Sequence, residues 1–115
     1  MTKEETKLQN AIRAALSEDG FVRRNNVGTF LTAYGTPITL GVPGESDLTV
    51  FCKGGRTIFL EVKTPTGRQS KAQKHFEEYI KNLGYEYYVV RSVEDALRIV
   101  EGRRRSGEKE RLDND

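Results

Sequence analysis

Apolar residues recur at steps of three and four between Lys3 and Ser17, namely Leu8, Ala11, Ile12, Ala15 and Leu16, the spacing that lines one face of a helix. Thr2, with Glu5 three residues on, supplies a capping-box start, and Gly20 ends the helix. Phe21–Arg24 reads as a short strand. The Gly-, Thr-, Asn- and Pro-rich stretch Asn25–Gly44 gives only weak strand signals, at Phe30–Tyr34 and Thr36–Leu40 around Gly35. Asp47–Cys52 and Thr57–Lys63 predict two stronger strands joined at Lys53-Gly54-Gly55-Arg56. Ser70 and Gln73 form a second capping box before a helix that runs to about Leu83 and stops at Gly84, with Ala72, Phe76, Tyr79, Ile80 and Leu83 as its buried stripe. Tyr85–Val90 is a strand, and Ser92 caps a last helix with the stripe Val93, Ala96, Leu97 and Val100.

The register of the central hairpin can be argued from its side chains. Ile58, Leu60 and Val62 share one strand face and Phe59, Glu61 and Lys63 the other. A two-residue loop at Gly54-Gly55 would set Leu48 opposite Glu61. A three-residue loop, Lys53–Gly55 with Gly55 left-handed, pairs 52 with 56, 50 with 58 and 48 with 60, and so matches apolar to apolar. The same register puts Asp47 opposite Glu61, with β-carbons about 5 Å apart.

The chain has 115 residues, 36% of them hydrophobic and 31% charged, which fits one compact domain. Residues 1–102 are read as that domain and 103–115 as a charged, disordered tail. No apolar run reaches the roughly 18 residues of a membrane span, and the polar N-terminus is unlike a signal peptide, so a cytoplasmic location and no membrane partner are expected. Cys52 is the only cysteine, which excludes a disulfide framework and a cysteine zinc site. Net charge is only +2, yet between residues 53 and 74 six basic side chains (Lys53, Arg56, Lys63, Arg68, Lys71, Lys74) face one acid, Glu61. This local excess suits a phosphate-bearing partner or a solvated basic surface.

Asp47, Glu61 and Lys63 carry the candidate chemistry. Two carboxylates so close repel unless a cation lies between them, and hard oxygen ligands suit Mg²⁺ or Mn²⁺. Such an ion lowers the pKa of a water and polarises a phosphoryl oxygen, while Lys63 can orient that water or offset charge building on phosphorus. The bland alternative is a solvated sheet face on which Glu61 and Lys63 neutralise each other. The apolar neighbours in both strands argue instead for a covered position, where carboxylates need a partner.

Several segments together, in this order and spacing, resemble a known family: Arg23-Arg24-Asn25-Asn26, Gly41-Val42-Pro43-Gly44-Glu45-Ser46-Asp47-Leu48, Leu60-Glu61-Val62-Lys63, Gly67-Arg68-Gln69-Ser70-Lys71-Ala72-Gln73 and Val89-Val90-Arg91-Ser92-Val93-Glu94-Asp95-Ala96-Leu97. The chain is similar, over roughly residues 4–100, to the virus-type replication-repair nuclease (VRR-NUC) domain of the PD-(D/E)XK nuclease superfamily. The resemblance implies an α/β, restriction-endonuclease-like core with a central mixed β-sheet flanked by helices. It implies a Mg²⁺- or Mn²⁺-dependent endodeoxyribonuclease in which Asp47, Glu61 and the Val62 carbonyl bind the metal and Lys63 serves the attacking water. Gln73 matches the family's helix glutamine, and Glu5 the first-helix glutamate that reaches the metal; capping explains each residue equally well. Ser46 stands where the superfamily name expects Pro before Asp, which touches the loop conformation more than the chemistry.

Stand-alone members of that family look like phage-type homodimers acting on branched DNA such as four-way (Holliday) junctions in DNA repair, and this chain is expected to be one, in a bacterial or phage-infected cell. Arg23, Arg24, Asn25, Arg68, Lys71 and Lys74 are the candidate DNA contacts. The segment 29–40, with Phe30, Leu31, Tyr34, Ile38 and Leu40, is the candidate dimer interface or else a hairpin folded back on its own sheet. The alternative reading is a non-catalytic nucleic-acid-binding module on the same fold.

Overall fold

The computed structural model describes residues 2–101; the segment 103–115, expected to be a disordered tail, lies outside the described residues. Helix α1 (Lys3–Leu16) begins where Thr2 Oγ1 accepts the Glu5 N–H at 3.1 Å. Strand β1 (Gly20–Arg24) follows, then β2 (Gly28–Leu31), β3 (Pro37–Leu40), β4 (Leu48–Cys52) and β5 (Thr57–Val62). Helix α2 (Lys71–Asn82), β6 (Glu86–Val90) and a last helix, α3, at residues 93–101 complete the domain.

Four strands form one mixed sheet in the order β1-β4-β5-β6. The first two pairings are antiparallel, whereas β5 and β6 run parallel, with α2 in the crossover that parallel neighbours require. The β4–β5 hairpin has the register that the apolar matching selects: Leu48 faces Leu60, Val50 faces Ile58, and the Cys52 N–H donates to the Arg56 carbonyl at 2.8 Å. Its three-residue loop, Lys53–Gly55, is a tight turn in which both Gly54 (φ 78°) and Gly55 (φ 80°) are left-handed, not Gly55 alone.

The two sheet faces are unlike. One carries the main core: Leu48, Val50, Ile58, Leu60, Val62 and Val90 pack with Ile12 and Leu16 of α1 and Ala96 and Val100 of α3. The other, beneath α2, carries a smaller aromatic group in which Phe59 meets Phe76 and Tyr85 edge-on, with ring centroids 6.0 and 5.9 Å apart. Glu61 and Tyr87 are buried on this second face.

Two expected stripes shift. In α2, Ile80 is buried and Phe76 half-buried, but Ala72, Tyr79 and Leu83 are exposed; the inward face continues instead through Gln73 and Glu77. Polar residues occupy it because buried polar groups await them there. In α1 the buried face is Gln9, Ile12 and Leu16, while Ala11 is exposed.

β2 and β3 form a separate two-stranded sheet, with Phe30 opposite Ile38 and Gly28 opposite Leu40. Thr32 shapes its tip, accepting the N–H groups of Tyr34 and Thr36 on its hydroxyl, so that both strands are shorter than their sequence signals. The hairpin is not laid back on the main sheet: Leu31 and Tyr34 are 73% and 96% exposed.

Candidate active site

Asp47 is the last residue before β4, and its carboxylate completes the ladder to β5: Oδ2 accepts the Val62 N–H at 2.8 Å. This bond turns the Asp47 side chain toward Glu61. The loop that delivers Asp47 is held by Asn25, whose N–H donates to the Asp47 carbonyl at 2.8 Å and whose Nδ2 donates to the Ser46 carbonyl and Thr49 Oγ1 at 3.0 and 2.9 Å. Ser46, the residue before Asp47, is fully buried and donates from Oγ to the Leu48 carbonyl. Side-chain hydrogen bonds thus hold the loop on both sides of Asp47.

Glu61 is 1% exposed. Burial, the charge of Asp47 and a hydrogen-bonding contact with Asp47 push its carboxyl up to about 8, against the opposing pull of Lys63 and the Tyr87 hydroxyl. Each Glu61 oxygen has a donor. Gln73 Nε2 donates to Oε1 at 2.8 Å, and the Tyr87 hydroxyl donates to Oε2 at 3.2 Å. Gln73 at the same time closes the capping box of α2, accepting the Ser70 N–H on its Oε1 at 2.7 Å. Its two roles, cap and site residue, coexist in one side chain.

Gly44 fixes where this helix start sits. A Cβ built on Gly44 (φ 81°) would lie 2.1 Å from the Ala72 carbonyl oxygen, so the loop carrying Asp47 and the first turn of α2 touch backbone to backbone. Between this contact and the hairpin lies a cleft of about 380 Å³ whose lining includes Arg24, Asn26, Phe30, Asp47, Ser70 and Gln73. A second hollow shares Arg24, Asn25, Asn26 and Glu45 with it and extends to Arg23 and Leu40.

Lys63 follows β5 directly, its N–H bonded to the Val90 carbonyl at 3.0 Å. The turn after it is clamped by Arg91, whose Nη1 donates to the Thr64 and Gly67 carbonyls at 2.6 and 2.7 Å. A Cβ on Gly67 would lie 3.5 Å from Lys63 Cδ, so the clamped turn lies against the lysine stem.

The structure sorts the remaining candidates. Arg23, Arg24, Arg68, Lys71 and Lys74 are exposed. Asn25 is half-buried, with its side-chain donors engaged in holding the Asp47 loop. Arg56 leaves the basic surface: it pairs with Glu86 through two bonds of 2.7 and 2.9 Å and donates to the Ile99 and Val100 carbonyls near the end of α3. Glu5 sits half-exposed in the first turn of α1, and among the described residues no group of three His, Cys, Asp or Glu side chains forms a metal-holding cluster. Sequence reasoning named Gln73 but missed Tyr87, Gln69 and Glu77 as its neighbours; the spacing of four from Gln69 to Gln73 to Glu77 was the available signal.

Two carboxylates brought together, one of them buried and held far above the usual carboxylate range, make a donor set suited to a divalent cation with hard oxygen preference. Mg²⁺ and Mn²⁺ fit, because they bind through one or two carboxylates and complete their shells with water or phosphate oxygens.

No family model and no curated protein sequence matches the chain. Among solved structures, a VRR_NUC domain superposes with a TM-score of 0.63 at 24% sequence identity, covering 87% of this chain and 97% of that one. The mixed sheet flanked by three helices, with Asp47 and Glu61 facing each other across its central hairpin, is accordingly built on the VRR_NUC nuclease fold.

Proposed function

We propose that the protein is a metal-dependent DNA endonuclease that hydrolyses phosphodiester bonds. The observation that carries this reading is the pairing of Asp47 with buried Glu61, whose raised carboxyl pKa Lys63 opposes, beside a cleft edged by Arg24. Mg²⁺ or Mn²⁺ held by Asp47, Glu61 and the Val62 carbonyl would neutralise charge on the phosphoryl oxygen and lower the pKa of a water. Lys63 orients the attacking water and offsets the charge that develops on phosphorus. Gln73 fixes one oxygen of Glu61, and Arg23, Arg24, Arg68, Lys71 and Lys74 hold the DNA backbone. Glu5 is assigned a supporting part at the metal, reached from the start of α1.

The substrate we infer is branched DNA, cut by a homodimer. Symmetric resolution of a four-way junction needs two sites related by a two-fold axis. The β2–β3 hairpin supports an interface between copies: Phe30, Leu31, Tyr34, Ile38 and Leu40 are exposed on it, and no charged residue occurs between Arg24 and Glu45. A cleavage assay on linear, flapped and four-way DNA with Mg²⁺, Mn²⁺ or chelator tests the reading. Metal-dependent paired cuts in the four-way substrate are expected. Salt-dependent binding without turnover would favour a non-catalytic nucleic-acid-binding module.

A further inference from the structure

Beyond Gln73, a second set of residues acts on Glu61, from the opposite side of its carboxylate. Tyr87 is 2% exposed, and its ring packs against Phe76 with centroids 6.3 Å apart. Packing of that ring does not need a hydroxyl. The hydroxyl nevertheless has two partners: it accepts from Gln69 Nε2 at 3.3 Å and donates to Glu61 Oε2 at 3.2 Å.

The direction of this chain follows from what each group can do. Gln69 Nε2 also donates to Glu77 Oε1 at 3.0 Å, and Glu77 in turn pairs with Lys81 at 2.6 Å. An ionised carboxylate only accepts, so the Gln69 amide must turn its NH₂ group toward Glu77 and Tyr87. Tyr87 then accepts a hydrogen bond from Gln69, and its own O–H is left to donate to Glu61. On the other oxygen of Glu61 the same logic holds, since the Ser70 N–H takes Gln73 Oε1 and leaves the Gln73 NH₂ to donate. Both donors to Glu61 are thus oriented by groups outside the Asp47–Glu61 pair.

We propose that Tyr87, oriented by Gln69, is a positioning residue that fixes the Glu61 carboxylate for divalent-metal binding. The inference rests on the nuclease reading given above. Hydrogen-bond partners of metal ligands set ligand orientation, and their loss commonly weakens metal binding by about 10-fold to 100-fold.

The test is titration calorimetry of the full chain with Mn²⁺ alone, for wild type, Tyr87→Phe, Gln69→Ala and, as a control just before β6, Tyr85→Phe. Tyr87→Phe keeps the ring and removes only the hydroxyl. It is expected to bind Mn²⁺ about tenfold more weakly, to melt in chelator within a few degrees of wild type, and to lose kcat with little change in KM for DNA. Gln69→Ala should shift Mn²⁺ affinity in the same direction by less, and Tyr85→Phe should leave it unchanged. Wild-type Mn²⁺ affinity in Tyr87→Phe overturns the inference while leaving the nuclease reading in place. If Tyr87→Phe fails to fold, Gln69→Ala decides, and wild-type affinity there overturns the inference equally. A wild-type protein that takes up no Mn²⁺ and cuts no DNA overturns the nuclease reading, and this inference with it.

Discussion

Gln73 can donate to Glu61 because Ser70 holds the other end of the same amide: the Ser70 N–H to Gln73 Oε1 distance is 2.7 Å and Gln73 Nε2 to Glu61 Oε1 is 2.8 Å. The start of α2 and the orientation of a candidate ligand are therefore one device. Ser70→Ala and Gln73→Ala should each cost about 1 kcal/mol of stability, the usual worth of an N-cap bond. Only Gln73→Ala is expected to lower metal-dependent cleavage more than tenfold. Equal losses of cleavage in the two variants would show that the cap alone matters.

The raised pKa of Glu61 has a stability signature. Folded, its carboxyl keeps a proton up to about pH 8, whereas in the unfolded chain it loses that proton near 4.5. Between these values the folded state binds more protons, so the stability of metal-free protein should fall as pH rises through that window. Denaturant titrations in chelator from pH 5 to pH 9 measure it. The slope should flatten in Glu61→Gln, and an unchanged slope there would assign the dependence to another group.

Asp47→Asn, Glu61→Gln and Lys63→Ala should each reduce cleavage of four-way DNA by at least about 100-fold while DNA affinity in chelator stays near wild type, since each removes metal charge or water activation. Glu5→Gln should cost less than about tenfold. A larger loss in Glu5→Gln than in Glu61→Gln would exchange their roles.

Arg56→Met tests the reassignment of that residue from the basic surface to an internal clamp. With the Arg56 side chain 17% exposed and Glu86 left without it, the change should cost about 2–4 kcal/mol. Salt dependence of DNA binding should be unaltered. Arg68→Ala or Lys71→Ala should do the reverse, leaving stability within about 0.5 kcal/mol and lowering the salt slope by about one.

A charge at the hairpin tests the oligomer. Light scattering in moderate salt should give wild type twice the mass of one chain and Ile38→Asp the mass of one, still folded. Wild type that stays monomeric at micromolar concentration yet makes paired cuts would exclude the hairpin interface.

Much of this architecture was legible in the sequence, because local patterns decided it. The β4–β5 register followed from matching Leu48 and Val50 to Leu60 and Ile58, and the Ser70–Gln73 box fixed the start of α2. What stayed hidden depends on residues far apart along the chain. Arg56 reads as a free cation until β6 brings Glu86 beside it, and the inward face of α2 reads as one residue displaced because Gln73 and Glu77 look like surface residues. The Tyr87 hydroxyl shares that difficulty: the aromatic strand announces packing, and only the parallel pairing of β5 with β6 reveals that a carboxylate lies under it.

The Arg91 clamp implies an order of assembly. The guanidinium that ties the Thr64–Gly67 turn lies just beyond β6, and the phenol that meets Glu61 lies within it. A nascent chain that has emerged only as far as α2 holds Asp47, Glu61, Lys63 and Gln73 but lacks the strand that aligns them. On the proposed reading, a chain ending after α2 would hold the acids without the Tyr87 contact to Glu61, and is expected to cut no DNA.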